Sequence, residues 1–311
     1  MDCQNNQKIL QTILITYINR SGSTFLLNQL SKFKGVLVIP EGEILVEKLL
    51  RHPEQNTYIN LCVLFKNDFK LQSWNLSIED INNIDTQSNN IVVFFNVLNK
   101  YREINYPDSD ILLFKAYEFI HMENLFKRDI QERYNFKIIV IIRDIRAIFA
   151  SQKKNYYRGR VLENNPYSAV IKWNEFIRNY QKSANDLIPV QYESLILNFK
   201  NVLNNLLIKI NPELQKRVKI ENKTVSDKLP PSQRNLHQFI NLPPIEAKVD
   251  QWKNELKKDE LFIIEYYGGK SLKNLGYLLE KPEVNKLKIY VSLILFRIKH
   301  LYVTLFRKKS N

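Results

Sequence analysis

Short uninterrupted apolar runs recur along the chain: Thr12–Ile18 (TILITYI), Val36–Ile39 (VLVI), Ile111–Phe114 (ILLF) and Lys137–Ile142 (KIIVII). A fifth, Ile188–Tyr192 (IPVQY), is weaker. None alternates apolar with polar residues. Strands covered on both faces read this way, because neither side meets water. Between the runs, apolar residues return at helical spacing. Thr24–Phe33 carries Phe25, Leu26, Leu30 and Phe33, and Tyr167–Leu187 carries Val170, Trp173, Ile177 and Tyr180. Asp144–Tyr157 and the Leu/Ile-rich Ser194–Ile210 complete the set. Strands alternating with helices predict an α/β fold with a mainly parallel sheet.

Three stretches depart from the alternation. Residues 44–106 are Asn-rich, helical in pattern and longer than a simple crossover, which marks them as an insertion suited to shaping an acceptor pocket. Lys223–Pro244 contains Pro230, Pro231, Pro243 and Pro244 and reads as a loop. Residues 284–311 combine an apolar run, Ile289–Phe296, with Arg297, Lys299, His300 and Arg307–Lys309. This tail is too charged to span a membrane comfortably. It suits a helix packed on the domain, or one lying in a membrane interface. The expected organisation is a single domain over 1–283 followed by the tail.

Length and composition narrow the function classes. At 311 residues, with 44% hydrophobic and 25% charged residues, the chain can bury a large core. Two cysteines, Cys3 and Cys62, exclude a disulfide scaffold or a cysteine-rich zinc module. Four scattered histidines (His52, His121, His237, His300) form no metal-binding spacing, so no metal is expected. The formal net charge of +14 points to an anionic partner. The first twenty residues lack the small-residue cleavage site of a signal peptide, and no run of about 18 apolar residues exists. The expectation is a cytoplasmic protein, with membrane association through the tail as an option.

The segment ILITYINRSGSTFLLNQL reads as strand, tight turn and helix. Gly22 sits in the turn among Ser21, Ser23 and Thr24, with Arg20 before it. Backbone N–H groups at a helix N-terminus converge on one point, and the helix dipole favours an anion there. Arg20 adds a forked cation suited to phosphate or sulfate. The plainer alternative is a turn with a helix cap. The pattern G-x-x-x-x-G-K-[ST] of nucleotide triphosphatases is absent. In KIIVIIRDIRAIFASQKK, a strand ends in Arg143-Asp144 and a helix carrying Arg146 and Ser151 begins. Arg143 therefore stands at the C-terminal edge of a strand, where open α/β sheets bind ligands. A salt bridge from Arg143 to Asp144 or Asp110 is the plainer alternative.

Together the two segments resemble the sulfotransferases that use 3′-phosphoadenosine-5′-phosphosulfate (PAPS), and most of all their carbohydrate and tyrosylprotein branches, which have Arg in the first loop. Gln191-Tyr192-Glu193-Ser194-Leu195, Trp252-Lys253 with Leu256, and Leu275-Gly276-Tyr277 are similar to shorter family segments and stand in the same order. The resemblance implies a P-loop-like three-layer fold with PAPS as co-substrate. It implies that Arg20, Ser21, Gly22, Ser23, Thr24 and Phe25 bind the 5′-phosphosulfate, that Arg143 and Ser151 hold the 3′-phosphate, and that Tyr192 lies near the adenine.

Transfer of a sulfuryl group needs positioning and charge stabilisation more than covalent chemistry. Arg20 suits the bridging oxygen. Lys115, read as ending the ILLF strand, is carried over from the tyrosylprotein branch as a second cation, a solvated lysine being the alternative. Glu41, just past the second strand in VLVIPEGEIL, is the expected base for the acceptor hydroxyl, with Glu43 in reserve. The acceptor stays open among a carbohydrate, a lipid-linked glycan, a peptide tyrosine and a small alcohol. The competing readings are a P-loop nucleotide kinase or NTPase, and a non-catalytic basic protein binding nucleic acid or membrane. No nucleic-acid-binding signature accompanies the charge, and the basic residues are spread along the chain.

Overall fold

The computed structural model describes residues 11–39, 43–50, 61–84, 86, 88–117, 128–157, 160–183, 187–220, 224–225, 241–285, 287, 290–291 and 294. Their contacts divide the chain into two compact units, one of residues 1–143 and 178–246, the other of residues 144–177 and 247–311.

The first unit is built on a five-stranded parallel sheet. Its strands are β1 (Gln11–Tyr17), β2 (Val36–Val38), β3 (Ile111–Tyr117), β4 (Phe136–Ile142) and β5 (Ile188–Gln191), in spatial order β2-β3-β1-β4-β5. Every residue of β1 is buried, Gln11, Thr12 and Thr16 included, as befits a strand flanked by two others and covered on both faces. Helix α1 (Ser23–Ser31) packs on β1, β2 and β3. Between β2 and β3 lie α2 (Glu43–Leu50), α3 (Leu61–Asn67), α4 (Phe69–Gln72), α5 (Ile78–Asn82) and α6 (Asn90–Asn105), which take up the expected insertion 44–106. Much of this helical stretch packs into the core. Phe94 of α6 meets Phe114 of β3 at 5.7 Å, and Phe95 meets Phe136 of β4 at 5.6 Å. Trp74, fully buried, lies 4.8 Å from the Tyr101 ring. Helix α7 (Arg128–Arg133) precedes β4.

The second unit opens with α8 (Ile145–Gln152), capped by Asp144, whose carboxylate accepts from the Arg146 N–H at 2.8 Å. The sequence pattern carried this helix on to Tyr157. Instead it ends at Gln152, and Asn155 turns its side chain back onto the Ser151 carbonyl (2.6 Å). Tyr156–Tyr157 then pairs antiparallel with Arg160–Val161. Helix α9 (Pro166–Lys182) follows, with its residues up to Ile177 in this unit, which is completed by α12 (Trp252–Glu255) and α13 (Lys258–Asn274). Before them, in the first unit, come α10 (Tyr192–Leu197) and α11 (Phe199–Ile210). The single helix expected over Ser194–Ile210 is thus two, broken where Asn198 leaves helical geometry (φ −131°, ψ 49°).

A buried ionic knot holds the second unit together. The Arg146 guanidinium pairs with both Asp144 and Glu265 at 2.7 Å, donates to the Leu278 carbonyl at 2.8 Å and lies 4.2 Å from the Trp252 ring. Burial alone would favour loss of its proton. The hydrogen bonds and charges of Asp144 and Glu265 outweigh that and raise its pKa above the usual arginine value. Glu265 also accepts from the N–H groups of Glu280 and Lys281.

Candidate functional site

Strand order decides where the site can form. After β1 the chain crosses to β2 on one side, while β4 leads through α8 and α9 to β5 on the other. The C-terminal ends of β1 and β4 therefore flank a topological switch point, the position where open parallel sheets leave a crevice for ligands. Arg20 follows β1, and Arg143 follows β4.

The turn from β1 into α1 is built around two left-handed residues. Arg20 has φ 76° and Gly22 has φ 94°. That region costs a residue bearing a Cβ about 1–2 kcal/mol, so the surroundings must hold Arg20 in place. The Ser21 N–H donates to the Ile18 carbonyl at 3.0 Å, and the Arg143 Nη1 donates to the Arg20 carbonyl at 2.8 Å. Gly22 is the α1 N-cap, and a Cβ there would collide with the Tyr192 ring. No side chain caps α1, and its first turn holds no acidic residue. Its first N–H groups, which have no intrahelical acceptor, keep their positive end uncompensated.

Two guanidinium groups share this edge. Arg143 lies with its Cζ 4.0 Å from the Tyr192 ring centroid. The Arg20 guanidinium is pushed down to about 10, first by burial and then by the nearby Arg143 charge, with Tyr192 opposing. Like charges forced together in a partly dry place favour an anion between them. Beneath the turn, the Lys115 Nζ donates to Thr24 Oγ1 at 3.3 Å and sits 5.2 Å from the Tyr17 ring. Ser21 is buried, and its Oγ has no hydrogen-bond partner among the described residues. An unsatisfied hydroxyl at a cationic helix N-terminus is what a tetrahedral anion would complete.

The structure thus brings Arg20, Ser21, Gly22, Ser23, Thr24, Lys115, Arg143 and Tyr192 to one sheet edge. Two details differ from the sequence reading. Lys115 does not end its strand, since β3 continues to Tyr117, and the lysine is 5% exposed rather than solvated. Tyr192 opens α10 rather than closing β5. Of the acids named as alternative partners of Arg143, Asp144 pairs with Arg146 and Asp110 with Arg217 at 2.6 Å. Phe25, half-buried, lies 5.9 Å from the Phe199 ring. Ser151 belongs to the second unit, where Asn155 approaches its carbonyl and hydroxyl. Glu41, the Glu43 side chain and all four histidines fall outside the described residues. Among the described residues there is no metal-ligating cluster, and no helix is long and apolar enough to cross a membrane.

What sequence reasoning missed is the stacking of Tyr192 under Arg143 and over Gly22. The only trace in the sequence was a glycine where the turn needs a bare Cα. Asn28 was also missed. Fully buried on α1, it accepts from the Val225 N–H at 3.0 Å and faces Asn241 at 3.4 Å, anchoring those two residues of the proline-rich stretch to α1.

No family model and no curated protein matches the chain. Solved structures do. The sulfotransferase domain from the curacin biosynthetic pathway aligns with a TM-score of 0.51 and 19% identity, over 88% of this chain and 99% of that one. The sulfotransferase domain from the Synechococcus PCC 7002 olefin synthase aligns at 0.45 and 16%, over 85% and 96%. Mouse sulfotransferase SULT7A1, complexed with PAP, aligns at 0.46 and 10%, over 86% and 90%. The first of these likenesses is one of fold, and it spans most of both chains.

Proposed function

We propose that the protein is a sulfotransferase that uses PAPS and passes its sulfuryl group to an acceptor hydroxyl. The observation that carries this reading is the pairing of Arg20 and Arg143 across the switch point, above an uncapped helix N-terminus that holds an unsatisfied buried serine hydroxyl. PAPS would supply an activated sulfuryl group on a phosphate oxygen, with a second phosphate on the ribose. The first turn of α1, with Ser21, Ser23, Thr24 and Phe25, would bind the 5′ end. Arg143 would take the 3′-phosphate, with Tyr192 fixing its guanidinium.

In the transfer, the acceptor oxygen forms a bond to sulfur as the bond from sulfur to the phosphate oxygen breaks. The acceptor proton passes to a base, for which Glu41 is the sequence candidate. Arg20 and Lys115 meet the charge that grows on the departing oxygen, and preorganised donors of this kind are worth about 10²–10³ in rate each. Arginine, lysine and backbone N–H groups would meet the charges of the donor, so this reading calls for no metal. A carbohydrate acceptor is drawn from the resemblance to the carbohydrate and tyrosylprotein branches, and a lipid-linked glycan from the option of a membrane-docked tail.

The test is thermal stabilisation by adenosine 3′,5′-bisphosphate compared with ATP, GTP and an oligonucleotide, followed by an acceptor screen with labelled PAPS in the presence of EDTA. Selective stabilisation by the bisphosphate is expected. Preference for ATP or GTP would favour a kinase or NTPase instead, and loss of transfer in EDTA would refute the metal-free chemistry.

A further inference from the structure

The second unit carries exposed apolar surface in its C-terminal segment. Along 284–311 the described residues Leu287, Tyr290, Val291 and Ile294 are helical. Tyr290 turns toward α13, where its ring lies 5.8 Å from Tyr266, itself stacked on Phe262 at 5.7 Å. Leu287, Val291 and Ile294 recur at i, i+4 and i+7, and so share one helix face. They are 75%, 49% and 57% exposed. Leu278, at 86%, and Tyr266, at 56%, add further open apolar surface in the same unit.

Charge selects among the occupants such a face could have. Residues 284–311 hold seven Lys and Arg and no Asp or Glu. A second copy of the chain is disfavoured, because two chains of net charge +14 repel and the segment offers no acid to pair with. Nucleic acid would use the charge but leave the apolar stripe in water. An anionic bilayer uses both: the stripe enters the acyl boundary while the lysines and arginines meet lipid phosphate and carboxylate. The charges at Arg297 and Lys299 interrupt the apolar run after Phe296, which favours lying in the interface over crossing it.

We infer that Leu287, Val291 and Ile294, in a segment that carries seven Lys and Arg and no acid, form an in-plane docking face for anionic membrane surfaces. This inference is independent of the sulfotransferase reading.

The full chain should co-sediment with phosphatidylcholine vesicles containing phosphatidylserine, much less with pure phosphatidylcholine, and less as salt rises. The triple variant Leu287→Asp/Val291→Asp/Ile294→Asp should lose about tenfold or more in partitioning. Arg307→Gln/Lys308→Gln/Lys309→Gln should lose the preference for phosphatidylserine. Unchanged melting temperatures establish that both variants fold. Failure of the wild-type chain to bind anionic vesicles, equal binding by the Asp variant, or equal affinity for both vesicle types would overturn the inference. So would a wild-type dimer that the Asp substitutions dissociate without any vesicle binding, since a second copy would then be the occupant.

Discussion

The Arg143 guanidinium lies 4.0 Å from the centre of the Tyr192 ring, and the same ring closes against Gly22. One aromatic side chain thus fixes a cation that follows β4 and a turn that follows β1. Stacking of this kind contributes about 0.5–2 kcal/mol. Tyr192→Ala should therefore weaken adenosine 3′,5′-bisphosphate binding about 2- to 30-fold by calorimetry, while Tyr192→Phe should stay close to wild type. Equal losses in both variants would assign the effect to the phenol oxygen rather than to the stack.

Gly22 tolerates no side chain. Its φ of 94° and the proximity of Tyr192 mean that Gly22→Ala must either displace the ring or unwind the turn. The left-handed backbone alone costs about 1–2 kcal/mol. Urea denaturation should show at least that loss, and thermal shift should show no stabilisation by the bisphosphate.

Arg20 links pH to both stability and binding. Its pKa falls from the usual arginine value to about 10 in the folded chain, through burial and then Arg143. Between those values the unfolded chain binds more protons than the folded one, so this group makes stability rise with pH across that window. Below it, the charged guanidinium opposes folding. Arg20→Gln should therefore leave the ligand-free protein as stable as wild type or more so at neutral pH, and should abolish bisphosphate binding and transfer. In the wild-type protein, binding should fall as pH passes through about 10. A variant that loses stability but binds normally would contradict the role given to this residue.

Lys115 is buried against Thr24, where it can act on transfer more than on affinity. Lys115→Met should lower kcat about 10²–10³-fold, with bisphosphate affinity nearly kept. Parallel measurements of turnover and of binding by calorimetry separate the two effects.

Arg146 stabilises the second unit. Removing it leaves the Asp144 and Glu265 carboxylates buried without their cation, a change that costs about 3–5 kcal/mol. Arg146→Met should show that loss in urea unfolding. Adding Glu265→Gln should recover part of it, because the buried charge is then removed as well.

Local features of the chain were legible. Strands covered on both faces are apolar at most positions on either side, so β1, β3 and β4 stand out from the surrounding helical pattern. The turn Arg20–Thr24 is equally local, since strand, glycine, hydroxyl residues and helix are consecutive. Helix ends were less so. Apolar spacing runs straight through Asn198, and only the backbone there shows that one expected helix is two.

What the tertiary structure alone decided is which distant residues meet. The order β2-β3-β1-β4-β5 places β3 and β4 on either side of β1, and this brings Lys115 under Thr24 and Arg143 onto the Arg20 carbonyl. The sequence names each of these residues with its element. It carries no local signal for their pairing, because hydrophobic pattern reports whether a strand is covered and not which strand lies beside it. Neighbourhood in a parallel sheet is settled by how the crossovers pack, and that packing depends on the whole chain at once.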